Sequence, residues 1–484
     1  MDRLQRYISF DSLAIISLVA IYFLLERYLA QQGMFFITTP LHHFFQVLDI
    51  RWLEEDLFNS LLYLHSQPPL FNFMIGLGVI SFGNNIGEVF GFIYQIIALA
   101  IILLLYINLR MLGIRKWFSW TISIAWMVYP AFLYFQNFLF YPIIIQFLFM
   151  LASFFLIRVF IHSYNNLLAF FLMLFLLAIT RSTYNFLYFL IIFFAIYLFN
   201  PLIRSKLLLM AAPGLLLIGI MIIKNILLFG QVSPSSWMGM NLAHLALSRL
   251  TVSEKTNLLK HKLVSDVIST DPFNDIQDYP ENAWNFFVQD CQGPDAYCLP
   301  YKDNGEPNLN FIGYIPVSKA FLTADLISIW NYPKHYLKNV IDGLDIYFAP
   351  SQNTVFINDK SFAPVKPWAN FVEQVFCGKS VGHKPESCDI FRFTWISAVF
   401  IGFLLISVNR LSRLLSHLEI NTIGFIVITL LYSVFFSVTM DLGENNRFRF
   451  ETDPLFLILF TFLVNKYLLG NVIDFIRQRY NPQS

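Results

Sequence analysis

"LHSQPPLFNFMIGLGVISFGNN", residues 64–85, decides how the chain is threaded. Pro68 and Pro69 cannot sit inside a helix, because proline has no amide hydrogen and crowds the residue before it. They end a polar run, His65-Ser66-Gln67, and open an apolar one, Leu70 to Phe82. That run is 13 residues long before Gly83-Asn84-Asn85, whereas a helix needs about 20 residues to cross a bilayer. The segment is expected to re-enter the membrane or lie along its surface.

The surroundings are membrane-like. The chain has 484 residues, 57% hydrophobic and 13% charged, with 54 phenylalanines; soluble domains carry about 25% charged residues. An all-α polytopic membrane protein is expected, with about 10 transmembrane helices. Apolar runs lie near 11–30, 88–109, 117–136, 138–157, 165–180, 184–200, 207–229, 391–409, 422–440 and 453–470. The first run lacks a small-residue cleavage site and reads as a retained span. If 70–82 does not cross, Arg110, Arg115, Lys116, Arg158, Arg204, Lys206, Arg410, Arg413, Arg477 and Arg479 share one side with Arg3 and Arg6. The positive-inside rule favours that threading: seven spans (1–230), a large outside loop (231–390), then three spans and a cytoplasmic tail (391–484). The net charge of +1 and the lack of a basic patch interleaved with aromatics argue against nucleic acid.

All four cysteines fall in the large loop: Cys291 and Cys298 in "CQGPDAYC", Cys377 and Cys388 in "CGKSVGHKPESC". Confinement to one side points to an oxidising compartment and two disulfides. Three connectivities are open and the two local pairs are the simplest. The spacings are not those of a CxxC zinc site. The loop lacks an Asn-x-Ser/Thr sequon, which points to a bacterial inner membrane with the loop facing the periplasm or exterior. The loop holds 17 of the 31 acidic residues, so it is solvated, and "FLTADLISIWNYPKHYLKNVIDGL" (321–344) has helical spacing broken at Pro333. A mostly helical extracytoplasmic domain is expected.

Polar residues gather on the outer side of this topology. The first outer loop, 31–69, carries His42, His43, Asp49, Arg51, Glu54, Glu55, Asp56 and His65. Its apolar residues recur at three and four, as in short amphipathic helices at the membrane surface. Arg181 and Lys224 lie near the outer ends of the fifth and seventh spans, where a buried cation costs roughly 2.5–3.5 kcal/mol and calls for a partner. "DLGENNRFRFETDP" (441–454) reads as a short outer turn carrying Glu444, Arg447, Arg449 and Glu451. Cations suit a phosphate or pyrophosphate head group, and a carboxylate suits a general base. This is the chemistry of sugar transfer from a lipid-phosphate donor.

"YLHSQPPLFN", "KNILLFGQVSPSSWMGMNLA" and "ENNRFRFETDP" resemble stretches of the GT-C superfamily of membrane glycosyltransferases, which includes the protein O-mannosyltransferases and the aminoarabinose transferase of lipid A. The resemblance implies a seven-span module and a first outer loop with juxtamembrane helices and an acidic catalytic residue, closed by a Pro-Pro-Leu element, here Pro68, Pro69 and Leu70. It implies an inverting transfer of a sugar from a polyprenyl-phosphate donor to a lipid, glycan or protein acceptor. The family's Asp-Glu pair after the first span is absent, since the slot reads "ITTPLHH"; Asp49 is the next carboxylate, then Asp56. Gln67 stands where the lipid A enzyme has a cation, and His65 could supply the donor instead. Expected phosphate contacts are His65, Gln67, Arg181, Lys224, Arg447 and Arg449. His42, His43, Glu55 and Glu451 are further candidates for acceptor contact, as is the large loop. Some relatives use a divalent cation such as Mg or Mn, yet Glu54-Glu55-Asp56 is a poor ligand set, because consecutive helical residues point in different directions. A polysaccharide polymerase or ligase, and a lipid-linked glycan transporter or flippase, remain open. A transporter would carry its acids mid-membrane and show internal repeats.

Overall fold

The computed structural model describes residues 2–285, 291–351, 360–377, 388–412 and 414–469. Arg413, Arg477 and Arg479, and the side chains of Arg3, Arg6 and Arg410, lie outside what is described. Every regular element among the described residues is a helix, with two isolated bridges joining Ile37 to Phe138 and Tyr301 to Pro307.

The first helix, α1 (Asp2–Gln31), leads into a loop carrying α2 (Pro40–His43), α3 (Ile50–Glu55) and α4 (Leu57–Leu62). After the prolines come α5 (Leu70–Phe82) and α6 (Ile86–Met111). α6 runs back along α1: Asp11 near the start of α1 accepts the Tyr106 hydroxyl at 2.7 Å and pairs with Arg110 at 3.2 Å. Both ends of α5 stay with the first loop. At its start, Asn72 accepts the Leu48 amide at 2.8 Å and donates to the Gln46 carbonyl at 2.9 Å. Beyond its end, Gly87 and Gly91 lie so close to Thr38 and Phe36 that an added Cβ would sit 3.2 Å from either. The chain reverses at Gly83, whose φ of +50° suits a residue without a Cβ. α5 therefore turns back without traversing the bundle, as its length requires.

The chain then winds up and down through α7 (Lys116–Met127), α8 (Pro130–Phe135), α9 (Pro142–Ile161), α10 (Asn166–Thr180), α11 (Phe186–Phe199) and α12 (Arg204–Phe229). The stretch between α12 and the last three helices contains α13 (Met238–Ala246), α14 (Val252–Lys260), α15 (Asp295–Cys298), α16 (Tyr314–Asn331), α17 (Pro333–Tyr347) and α18 (Lys366–Cys377). Three helices follow: α19 (Asp389–Ser412), α20 (His417–Met440) and α21 (Asn445–Leu463). Cys291 pairs with Cys298 and Cys377 with Cys388, the two local connectivities. α13 and α16 pack so closely that a Cβ at Gly239 would collide with the Ser318 carbonyl. They share a second core with Trp237, Met240, Phe311 and Phe321.

Six helical stretches among the described residues are long and apolar enough to cross a membrane, fewer than the ten expected. α10 and α11 are apolar but only 15 and 14 residues long. The run 117–136 is broken because Pro130 forces Tyr129 into extended backbone (φ −65°, ψ 128°). The last run is not among the six because its helix takes in Arg447, Arg449, Glu451 and Asp453, and here the expected turn over 441–454 is corrected: α21 begins at Asn445 and runs through Pro454. Asn445 closes the corner after α20 by donating to the Ser437 carbonyl at 2.9 Å and that of Asp441 at 3.1 Å. Pro454 lacks the amide that would bond the Phe450 carbonyl four residues back; Gln146 Nε2 on α9 occupies that carbonyl instead, at 2.5 Å.

A cysteine placed at Asn84 is expected to react with a membrane-impermeant maleimide from the same side as one at Gln32, since the native cysteines are disulfide-bonded. Labelling from opposite sides would mean that α5 crosses.

Candidate functional site

The elbow at 64–69 is gripped from three directions. Its backbone lacks regular hydrogen bonds because of the prolines, so other segments supply them. Asn310 Oδ1 accepts the His65 amide at 2.9 Å and the Ser66 amide at 3.1 Å. The His65 carbonyl accepts the Ser236 amide at 2.8 Å, and that of Ser66 accepts the Ser235 hydroxyl at 2.6 Å. Lys224 Nζ donates to the Leu64 carbonyl at 2.9 Å. His65 is 2% exposed. Its Nδ1 lies 2.7 Å from Ser236 Oγ, and its buried Nε2 has no hydrogen-bond partner. Burial, aided by the Lys224 charge, holds the imidazole down to about 3; it is neutral at physiological pH. Gln67 is half-buried beside it.

The second polar group is the start of α21. Glu451, fully buried, pairs with Arg181 at the end of α10 and accepts the Tyr184 hydroxyl at 3.1 Å. Arg449 is spoken for as well: it donates to the Tyr347 and Ala349 carbonyls at 2.9 and 2.7 Å and to Ser351 Oγ at 2.5 Å, and pairs with Asp453 at 3.3 Å. Arg447 differs. One nitrogen meets Glu444 at 2.6 Å, while its buried Nε and Nη1 have no hydrogen-bond partner. Its guanidinium lies over the rings of Phe140 and Tyr141, 4.9 and 5.7 Å from their centroids.

The two groups share a wall. Phe71, two residues past the prolines, packs edge-on against Phe140 and Tyr141 (6.2 and 5.6 Å). Arg181 also lies over Tyr141, at 5.3 Å. α13 spans both: Ser236 precedes its first turn, and His244 in its last turn sits 3.6 Å from Asp441.

The first loop's acids have other company. Asp49 caps α3: one oxygen accepts the Arg51 amide at 2.8 Å and the other the Asp303 amide at 2.9 Å. Arg51 pairs with Asp303 (2.8 Å), Asp295 (3.3 Å) and Glu55 (3.7 Å). His43 pairs with Glu306 at 3.2 Å, and the His42 carbonyl accepts from Asn304 at 2.8 Å. Lys302 donates to the Phe44 carbonyl at 2.9 Å, and burial pulls its ammonium down to about 8. Residues 295–310 thus form a clasp across the first loop. Asp56 lies outside it, exposed, with both oxygens near Asn59 Nδ2 (3.0 and 3.1 Å). A cavity of about 300 Å³ lies elsewhere, at the far end, beside Leu198, Asn409 and His417.

The structure therefore brings His65, Gln67, Lys224, Arg181, Arg447 and Glu451 to one end of the bundle, and ties His42, His43, Asp49 and Glu55 to the clasp. Sequence reasoning missed Ser236 and Asn310, which hold the elbow; the Ser-Pro-Ser-Ser turn was the available signal. It also missed Asp325, whose two buried oxygens lack hydrogen-bond partners and whose carboxyl burial pushes up to about 8. No group of three His, Cys, Asp or Glu able to hold a metal ion occurs among the described residues. The donor set does not fit the divalent cation the resemblance allows. No protein-family model, curated protein or solved structure matches the chain.

An unfolded histidine titrates near 6.5, well above buried His65. The unfolded chain then binds the extra proton between those values, so the neutral side chain's contribution is complete above about pH 6.5 and is lost as pH falls towards 3. Thermal unfolding in detergent should show His65→Asn with a shallower acid-side loss than wild type across that window. Parallel profiles would contradict a buried neutral imidazole.

Proposed function

We propose that the chain is a GT-C-type membrane glycosyltransferase that moves a sugar from a polyprenyl-phosphate donor to an acceptor on the extracytoplasmic face, with inversion. The observation that carries this reading is Arg447: a buried guanidinium with two unpartnered nitrogens, lying on the Phe140–Tyr141 wall against which Phe71, just past the Pro-Pro elbow, also packs. Such donors suit the oxygens of a phosphate.

On this reading α1, α6, α7–α8, α9, α10, α11 and α12 cross before the large loop and α19, α20 and α21 after it, ten crossings in a bacterial inner membrane. Both termini are cytoplasmic. The winding supports this. The cations Arg110, Arg158 and Arg204 stand at the ends of α6 and α9 and the start of α12, the ends this winding puts opposite the elbow, as the positive-inside rule asks.

Arg447 and Lys224 take the donor phosphate and stabilise the negative charge that builds on it as the bond to the anomeric carbon breaks. Neutral His65 offers Nε2 as a hydrogen-bonding group that adds no charge, and half-buried Gln67 follows it two residues on. Arg181 and Arg449, committed to Glu451, Asp453 and loop oxygens, position α21. A first-loop carboxylate removes the acceptor's proton as its oxygen or nitrogen attacks the anomeric carbon. Asp49 is engaged by two backbone amides, which leaves exposed Asp56 the freer base. The clasp, with His42, His43 and Glu55, bounds the acceptor's approach.

Sugar transfer by the purified protein, tried over a panel of polyprenyl-phosphate sugars, tests this. Wild type is expected to turn over one donor. Arg447→Gln should lose about 10²–10³ in kcat, and Asp56→Asn about 10²–10⁴. Full activity in Asp56→Asn with loss in Asp49→Asn would move the base to Asp49. No turnover with any lipid-linked donor would overturn the reading in favour of transport.

A further inference from the structure

Trp330 is 87% exposed at the corner where α16 ends and Pro333 opens α17. It has company: Leu326 one turn earlier on α16, and Leu337 and Ile341 one turn apart on α17, are 59%, 56% and 56% exposed. Single exposed apolar residues are ordinary, but a strip at helical spacing across two adjoining helices marks an interaction surface.

The neighbours of α17 say what covers it. Tyr336 donates to the Thr439 carbonyl on α20 at 3.0 Å, and a Cβ at Gly343 would lie 3.6 Å from Val438. α20 is long and apolar enough to cross a membrane. Its exposed Phe435 and Leu431 lie on the same face as Thr439, one and two turns further from α17. The apolar strip of α17 thus continues the stripe that α20 would turn to lipid. The charges agree. Asp342 is paired with Arg249 and Asp345 with Arg392. Lys334 and Lys338, on either side of Leu337, are exposed and have no ion-pair partner among the described residues.

We propose that the α16–α17 corner lies in the headgroup layer of the leaflet on the large-loop side. Trp330, Leu337 and Ile341 enter the upper acyl region, and Lys334 and Lys338 meet the phosphates of anionic phospholipids. Amphipathic helices with tryptophan and lysine at their edges settle at this depth. The lipid surface then fixes the height of α17, whose final residue Tyr347, with Ala349 just beyond it, presents the carbonyls that hold Arg449. This inference rests on α20 crossing the membrane and is independent of the transfer reaction.

The test is tryptophan fluorescence of the full chain in lipid nanodiscs, as wild type minus Trp330→Phe. Trp330 is a surface residue, so its replacement leaves the cores intact. Lipids brominated on the upper acyl chain should quench the Trp330 signal at least about twofold more than iodide in the water does. In discs containing phosphatidylglycerol, Lys334→Glu/Lys338→Glu should weaken that quenching, with little effect in phosphatidylcholine discs. Quenching by iodide alone would overturn the proposal, placing the corner in water. Shielding from both quenchers would overturn it too, making the strip a protein–protein interface.

Discussion

Glu451 and Arg181 face each other 0% and 4% exposed, inside a bundle of apolar helices. Two charges withdrawn from water are tolerable only when their remaining hydrogen-bonding groups are met. Tyr184 meets the second oxygen of Glu451, and the rings of Phe448 and Tyr141 lie against the guanidinium. Removing one partner of such a pair costs roughly 3–5 kcal/mol, since the other charge stays buried. The pair therefore locks the end of α10 to the second turn of α21. Arg449 does the same between α21 and the turn after α17, and Gln146 bonds the carbonyl that Pro454 cannot reach. What would be a solvated turn in a looser protein becomes a charged helix start, held on all sides.

With α21 so fixed, Arg447 is presented at one end of the bundle with donors to spare. The elbow stands across the same aromatic wall, and it is no more self-sufficient. Two prolines strip it of regular hydrogen bonds, so its carbonyls and amides are met by Lys224, Ser235, Ser236 and Asn310. Those partners come from α12, the lead-in to α13 and the clasp. The clasp in turn is held to the first loop through Arg51, Asp49 and Lys302. One end of the molecule thus concentrates groups whose pairing depends on segments far apart in the chain.

Local physics was legible beforehand. Two prolines break the chain at 68–69, a run of 13 residues is too short to cross, Pro333 separates two helices, and neighbouring cysteines pair. The short helices of the first loop follow from apolar spacing. What escaped the sequence was compensation at a distance. A charged stretch ending in Pro454 reads as a turn until Gln146, 304 residues away, takes up the orphaned carbonyl. Arg181 reads as a cation in need of a partner, and that partner, Glu451, lies 270 residues on. Asp49 was a missed local signal: an aspartate just before "IRWLEE" is a helix cap, and that role competes with catalysis.

On the proposed function, the spare donors of Arg447 and the elbow's Lys224 form one site for a lipid phosphate. The most direct measurement is calorimetric binding of a short-chain polyprenyl phosphate, with no sugar attached, to wild type and Arg447→Gln in the same detergent. Binding by wild type is expected, with an affinity lower by about tenfold or more in the variant, about 1.4 kcal/mol. Equal affinities, or no binding by wild type, would contradict it.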